Sequence, residues 1–183
     1  MNNTSILVVT GSIRPNSVNQ KIVPLVVEQL KQKGANVTIA DLKELNLPFY
    51  DEPSPSLSSK FNPSDERVLR WTTMVGEADG VVLVTPEYNH TMTAVQLNAV
   101  TWVGKEWHDK PVALIGYGWS GGSRAHITAR ETLANSGLKA LVGERQANLA
   151  FKKDIELDGS VLDESAVTEK IDTALDELLE AAK

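Results

Sequence analysis

Several stretches of this chain carry apolar residues with little polar interruption. They are SILVVT (Ser5–Thr10), GVVLVT (Gly80–Thr85), PVALIGYG (Pro111–Gly118) and, less regularly, KALVG followed by QANLAF. Short apolar runs without two-residue alternation predict strands covered on both faces, as in a parallel sheet. NVTIAD (Asn36–Asp41) reads as one more strand, and the fifth strand is expected to break near Gly143–Glu144.

Between these runs the apolar spacing changes to that of helices. Asn19 to Lys33 places Ile22, Val26 and Leu30 on one face, with Gly34 just past the end. Pro24 lies inside this pattern and predicts a kink or an irregular first turn. Further helices are predicted from Pro63 to Glu77, capped by Ser64 or Asn62, over TAVQLNAVTWVGKE (Thr93–Glu106), and from Ser123 to Asn135, closed by Gly137. A last amphipathic helix, Asp163 to Lys183, turns Val167, Ile171, Leu175, Leu178 and Leu179 inward. From Leu42 to Asn62 three prolines and a cluster of serines dissolve the pattern into a long loop. Loops of that length serve as lids, binding loops or subunit contacts.

Alternating strands and helices imply right-handed parallel crossovers, hence an α/β, doubly wound, three-layer sheet. The 183 residues suit one domain, and no internal repeat is visible. In such sheets ligands collect at the carboxyl ends of the strands, which directs attention to the loops after strands one, three and four.

Charge and composition narrow the chemistry. Cysteine is absent, which excludes disulfides, thiolate metal sites and a cysteine nucleophile, and fits a reducing compartment. Net charge is −6, and the segment 151–183 accounts for it with ten acidic and four basic residues. No basic stripe suggests nucleic acid. No apolar run approaches a membrane span, and MNNTSILVV lacks the pattern of a signal peptide, so a cytoplasmic protein is expected. His90, His108 and His126 show no metal-ligand spacing and read as loop or surface residues; no metal is expected. Trp71 and Trp102 fall on helical apolar positions, Trp107 is expected partly exposed at a helix end, and Trp119 lies in the third loop, within reach of a ligand.

The first loop, TGSIRPNSVNQ, holds Ser12, Arg14, Ser17 and Asn19 between a buried strand and a helix start. Free backbone N–H groups and the helix dipole make such a start attractive to anions, and the side chains add donors and charge. A helix cap by Ser17 or Asn19 is the plainer alternative. The second loop, TPEYNH, offers an aromatic surface in Tyr88 and a residue, Asn89, that tolerates left-handed backbone. The third, GYGWSGGSRA, contains a G-x-G-x-x-G string after the wrong strand for a dinucleotide fingerprint. It also contains G-x-S-x-G around Ser120, the elbow of serine hydrolases. Only His126 and then Asp154 follow that serine, so the hydrolase order of acid and then histidine fails. A glycine loop that admits a flat ligand is the better account.

Taken in order, G-S-x-R-x-x-S-x-N after strand one, P-E-Y-N after strand three and a glycine-rich loop after strand four resemble the flavodoxin-like NAD(P)H-dependent FMN reductases, relatives of quinone, azo and chromate reductases. The resemblance covers about residues 6–151. It implies a five-stranded sheet of order 2-1-3-4-5 and a homodimer or homotetramer. It implies FMN, with the phosphate at Ser12, Arg14, Ser17, Val18 and Asn19. The ring would lie at Pro86, Glu87, Tyr88 and Asn89, with a third contact at Ser120, Gly121 and Gly122. NADPH or NADH would supply hydride, a small-molecule electron acceptor would take two electrons, and backbone N–H groups near Glu87–Asn89 would stabilise the reduced ring. No side chain is assigned as acid or base. An electron carrier or a non-catalytic flavin-binding module is the alternative. Many members continue S-x-P-x-x-L-K-N-A-x-D-W after P-E-Y-N; here Thr93, Gln96, Leu97 and Thr101 replace the proline, leucine, lysine and aspartate.

Overall fold

A computed structural model describes residues 4–183. The sheet runs β2-β1-β3-β4-β5, all parallel. Its strands are β1 (Ser5–Thr10), β2 (Asn36–Ala40), β3 (Gly80–Pro86), β4 (Pro111–Gly118), β5 (Leu141–Val142) and β6 (Ala147–Ala150). β5 and β6 both pair with β4, so they are the two halves of the fifth strand, broken where the sequence places Gly143–Glu144. Central β3 and β4 are buried along their whole length, as their unbroken apolar runs require.

The helices are α1 (Asn19–Gln32), α2 (Leu42–Leu45), α3 (Glu66–Glu77), α4 (Ala94–Thr101), α5 (Ser123–Leu133) and α6 (Glu164–Ala181). One core lies under α1 and α6, built on Ile22, Val26, Leu30, Val82, Ile115 and Ile171. The other lies under α3, α4 and α5, built on Trp71, Val75, Leu83, Trp102, Trp107 and Leu133. Alternate residues of each strand feed the two sides, because successive side chains of a strand point to opposite faces.

Helix ends differ from the sequence reading in instructive ways. α3 starts at Glu66, because Asp65, rather than Asn62 or Ser64, has extended backbone and accepts the Arg67 N–H at 2.9 Å. α4 stops at Thr101, and a separate 3₁₀ turn, Lys105–Trp107, follows Gly104. Gly104 is pressed against the loop: a Cβ there would lie 2.2 Å from the Ser56 carbonyl oxygen. Trp107 is fully buried and donates to the Val100 carbonyl, correcting the expectation of partial exposure. The segment 42–62 opens with α2, capped by Asp41, and is then tied down. The Asn98 amide donates to Pro48 O and accepts from Tyr50 N–H, and the Trp102 indole also donates to Pro48 O. α1 starts with a tight turn and runs on unbroken through Pro24. Gln20 and Lys21 N–H bond three residues back, and the helix then continues with Pro24 on its exposed side.

Candidate functional site

At the carboxyl edge of the sheet lies a cleft of about 320 Å³. Its first wall is the turn after β1. Gly11 begins it because a side chain there would strike β3, the added Cβ lying 2.3 Å from the Val84 carbonyl oxygen. Asn16 takes left-handed backbone (φ +54°). The Asn19 side chain is buried. With its carbonyl turned to the Gly11 and Ser12 N–H groups (2.6 and 3.3 Å), its NH₂ meets the Tyr117 hydroxyl. Burial pushes that phenol's pKa up, so Tyr117 stays protonated. Ser12 is also spent locally, accepting from Arg14 N–H and touching the Tyr88 hydroxyl at 3.1 Å. Ser17 accepts from Asn19 N–H, while the capping residue of α1 is Val18, whose side chain makes no cap. The N–H groups of Asn16, Ser17 and Val18 meet no acceptor among the described residues. They line the cleft beside the exposed Arg14, which supplies positive charge. Three donors at a helix start with one guanidinium form an anion cradle.

The second wall follows β3. Tyr88 and Thr91 exchange two backbone bonds at 3.0 Å, and Asn89 and His90 turn the chain with φ of +51° and +65°. The Glu87 N–H donates to Tyr117 O. Of the three N–H groups expected to face a ring, those of Glu87 and Tyr88 are therefore used within the chain, and only that of Asn89 lacks an acceptor among the described residues. Arg14 lies 5.9 Å from the Tyr88 ring centroid, joining the first two walls.

The third wall follows β4. Gly118, Gly121 and Gly122 all have positive φ. The Glu87 carboxylate, 8% exposed, accepts from the Ser120 hydroxyl at 2.8 Å and from the Arg124 N–H at 3.1 Å, clamping the second loop to the start of α5. Burial alone would raise its pKa; the Ser120 and Arg124 donors outweigh that and lower it. Ser120 is thus bonded to a carboxylate and has no histidine partner, which removes the hydrolase alternative.

Of the residues singled out in the sequence, Arg14, Ser17, Val18, Pro86, Glu87 and Tyr88 line the cleft. Ser12, Asn19, Asn89, Ser120, Gly121 and Gly122 are not among its lining residues. Sequence reasoning missed a fourth wall. Phe151 and Leu157, from the segment after β6, face the cleft with Tyr117 and Trp119. Trp119 is 71% exposed and meets Phe151 edge-on at 5.8 Å. Lys21 fixes this wall to α1 through Asp158 and Ser160. Nothing polar marks it in the sequence, and only the apolar QANLAF run ending at Phe151 points there.

Residues 4–154 match the family described as NADPH-dependent FMN reductase. The chain belongs to this family. It is 30% identical over 198 residues to the NAD(P)H-dependent FMN reductase ntnL of a Nectria species, covering 97% of this chain and 96% of the relative. It is 30% identical over 118 residues to a 2-hydroxy-1,4-benzoquinone reductase of a Burkholderia species, covering 61% and 58% of the two chains. Among solved structures it resembles the flavoenzyme NAD(P)H:(acceptor) oxidoreductase FerB of Paracoccus denitrificans, with a TM-score of 0.75, 24% identity and coverage of 97% and 98%. The fold is flavodoxin-like, with the sheet order 2-1-3-4-5. As a family member the protein is an oxidoreductase of the NAD(P)H-dependent FMN reductase type.

His126 corrects another expectation. It is a fully buried residue of α5, packed on Gly116, and neither ring nitrogen has a partner in hydrogen-bonding geometry among the described residues. Burial lowers its pKa to about 4. In the unfolded chain the imidazole titrates near 6.5, so between pH 6.5 and 4 the unfolded chain binds a proton that the folded chain refuses. Stability is complete above this window and falls as pH drops through it, by about 3 kcal/mol at its lower end. Thermal melts of wild type and His126→Leu from pH 7 to 4 check this: the variant should lose this part of the acid dependence, and parallel profiles would contradict it.

Proposed function

We propose that the cleft holds FMN, and that the protein uses NADPH or NADH to reduce it and passes two electrons to a small planar acceptor of the quinone type. The observation that carries this reading is the polarity of the cleft. Its lining combines Arg14 and three N–H groups without an acceptor among the described residues, the complement of a phosphate dianion, with the aromatic residues Tyr88, Trp119 and Phe151. The glycine cradle at Gly118, Gly121 and Gly122 lets the backbone approach a flat ring closely. FMN, when bound, supplies the hydride and electron chemistry; the protein supplies binding, orientation and electrostatics. Arg14 and the N–H groups of Asn16–Val18 would hold the phosphate, and Pro86, Tyr88 and the glycine loop would hold the ring. Tyr117 and Glu87 fix the loops that do so, and no side chain is required as acid or base.

The protein works as a homodimer or homotetramer in this reading. Phe49 is 80% exposed although the backbones on both sides of it are tied to Asn98. Beside that clamp lies a hollow lined by Ile13, Leu42, Leu47 and Val95, with Lys43, Asn46 and Asn98 around them. A second copy of the chain would cover this apolar surface. A cytoplasmic protein, with reduced nicotinamides at hand, fits this reading.

Anaerobic mixing of the FMN-loaded protein with NADPH or NADH tests the redox reading. The yellow flavin absorption is expected to bleach with at least one donor and to return when a benzoquinone is added. Colour that survives both donors would refute the donor reaction.

A further inference from the structure

Two of the positions where this chain leaves the family pattern, Thr93 and Gln96, are buried within the chain rather than offered to a partner subunit. They form a connected polar unit. The Thr93 hydroxyl donates to Gly11 O at 2.7 Å and accepts the Gln96 N–H at 3.2 Å, capping α4. The Gln96 side chain accepts from the Thr85 hydroxyl at 2.9 Å and donates to Val84 O at 3.3 Å. This happens where β1 leaves the sheet, its last pair with β3 being Thr10 and Val84. One end of the unit therefore grips the start of the anion-binding turn. The other grips the end of β3, one residue before Pro86 and the second wall. Space there is tight: a Cβ on Gly11 would stand 2.7 Å from the Pro86 ring and 3.0 Å from the Gln96 amide carbon. A proline and a leucine at these two positions could make none of the side-chain bonds.

We propose that Thr93 and Gln96 are positioning residues, a buried strut that fixes the anion-binding turn at one distance from the ring-side loop and so sets the preference for phosphorylated over unphosphorylated flavin. The proposal rests on the FMN reading above. A ligand with a phosphate at one end and a ring at the other needs both loops in register at once; riboflavin needs only the ring side. Loss of the strut leaves the ring-side loop clamped by Glu87 to α5 and removes one of the turn's anchors, another being the Asn19 carbonyl on the Gly11 and Ser12 N–H groups.

The test is the ratio of riboflavin to FMN dissociation constants, measured by flavin fluorescence on apoprotein, for wild type, Gln96→Leu, Thr93→Val and Thr93→Ser. Gln96→Leu and Thr93→Val are expected to lower the ratio by about tenfold, almost all of it through weaker FMN binding. Thr93→Ser keeps the hydroxyl and should hold the ratio within about twofold of wild type. If Gln96→Leu fails to fold, the Thr93 pair decides alone. Equal losses for both flavins, or an unchanged ratio in Thr93→Val, would overturn the strut. A wild type that binds FMN no more tightly than riboflavin would instead overturn the phosphate reading beneath it.

Discussion

Gly122→Ala is expected to lower the midpoint of thermal unfolding by about 10 °C and to abolish flavin binding with it. Gly122 sits at φ +84°, where a side chain alone costs about 1–2 kcal/mol. The new Cβ would also stand 2.6 Å from Gly116 Cα and 2.8 Å from Tyr117 N. These are backbone atoms of β4, flanked by its pairings with β3 and β6, and they cannot swing aside as a side-chain tip can. Forced packing of that kind adds about 1–3 kcal/mol. Gly34→Ala is the matched control: its φ is also +84°, but nothing lies within 4 Å of the added carbon. It should show the conformational cost alone, a shift of a few degrees. Calorimetric melts of both variants separate the two terms. Equal shifts would mean that the glycine loop does not need its close approach to β4.

Arg14→Ala combined with Ser17→Ala is expected to weaken FMN binding by about 100-fold, the loss of one charge-assisted hydrogen bond and one neutral bond to phosphate. Arg14 is exposed and forms no ion pair among the described residues. The Ser17 hydroxyl accepts the Asn19 N–H. The melting temperature of the apoprotein should therefore scarcely move. Riboflavin affinity should fall much less, because the lost groups act mainly on the phosphate, with Arg14 only neighbouring the Tyr88 ring, 5.9 Å from its centroid. Unchanged FMN affinity in the double variant would remove the anion cradle from the account.

Much of this architecture is legible in the sequence because burial on both faces leaves no alternation in β1, β3 and β4, and a polar cluster after β1 marks the turn there, although Ser12 and Asn19 serve the turn's own hydrogen bonds. Asn89 at φ +51° and the break between β5 and β6 follow from local residue chemistry alone. Other features depend on tertiary contacts and left no local trace. Asn62, Ser64 and Asp65 are all competent caps, and the choice fell to the residue whose backbone is extended where α3 starts. Trp107 reads as a helix end but is drawn into the core by the 3₁₀ turn after Gly104. His126 has the look of a polar helix residue, and its burial follows from packing against a glycine ten positions earlier. Phe151 and Leu157 reach the cleft through tertiary contacts of the segment after β6: Ile155 is buried in the core, Asp154 pairs with Lys170, and Lys21 bonds Asp158. Glu87 lines the cleft, but its carboxylate and the Ser120 hydroxyl serve each other, something no single motif reveals.

The central claim is that a single cleft at the sheet's carboxyl edge is built for a flavin carrying a terminal phosphate. Isothermal titration of FMN into the apoprotein, run beside riboflavin under the same conditions, tests it most directly. The account predicts saturable binding of one FMN per chain, with riboflavin clearly weaker because it leaves Arg14 and the three N–H groups unused. No heat of binding with FMN, or equal affinity for the two flavins, would contradict it.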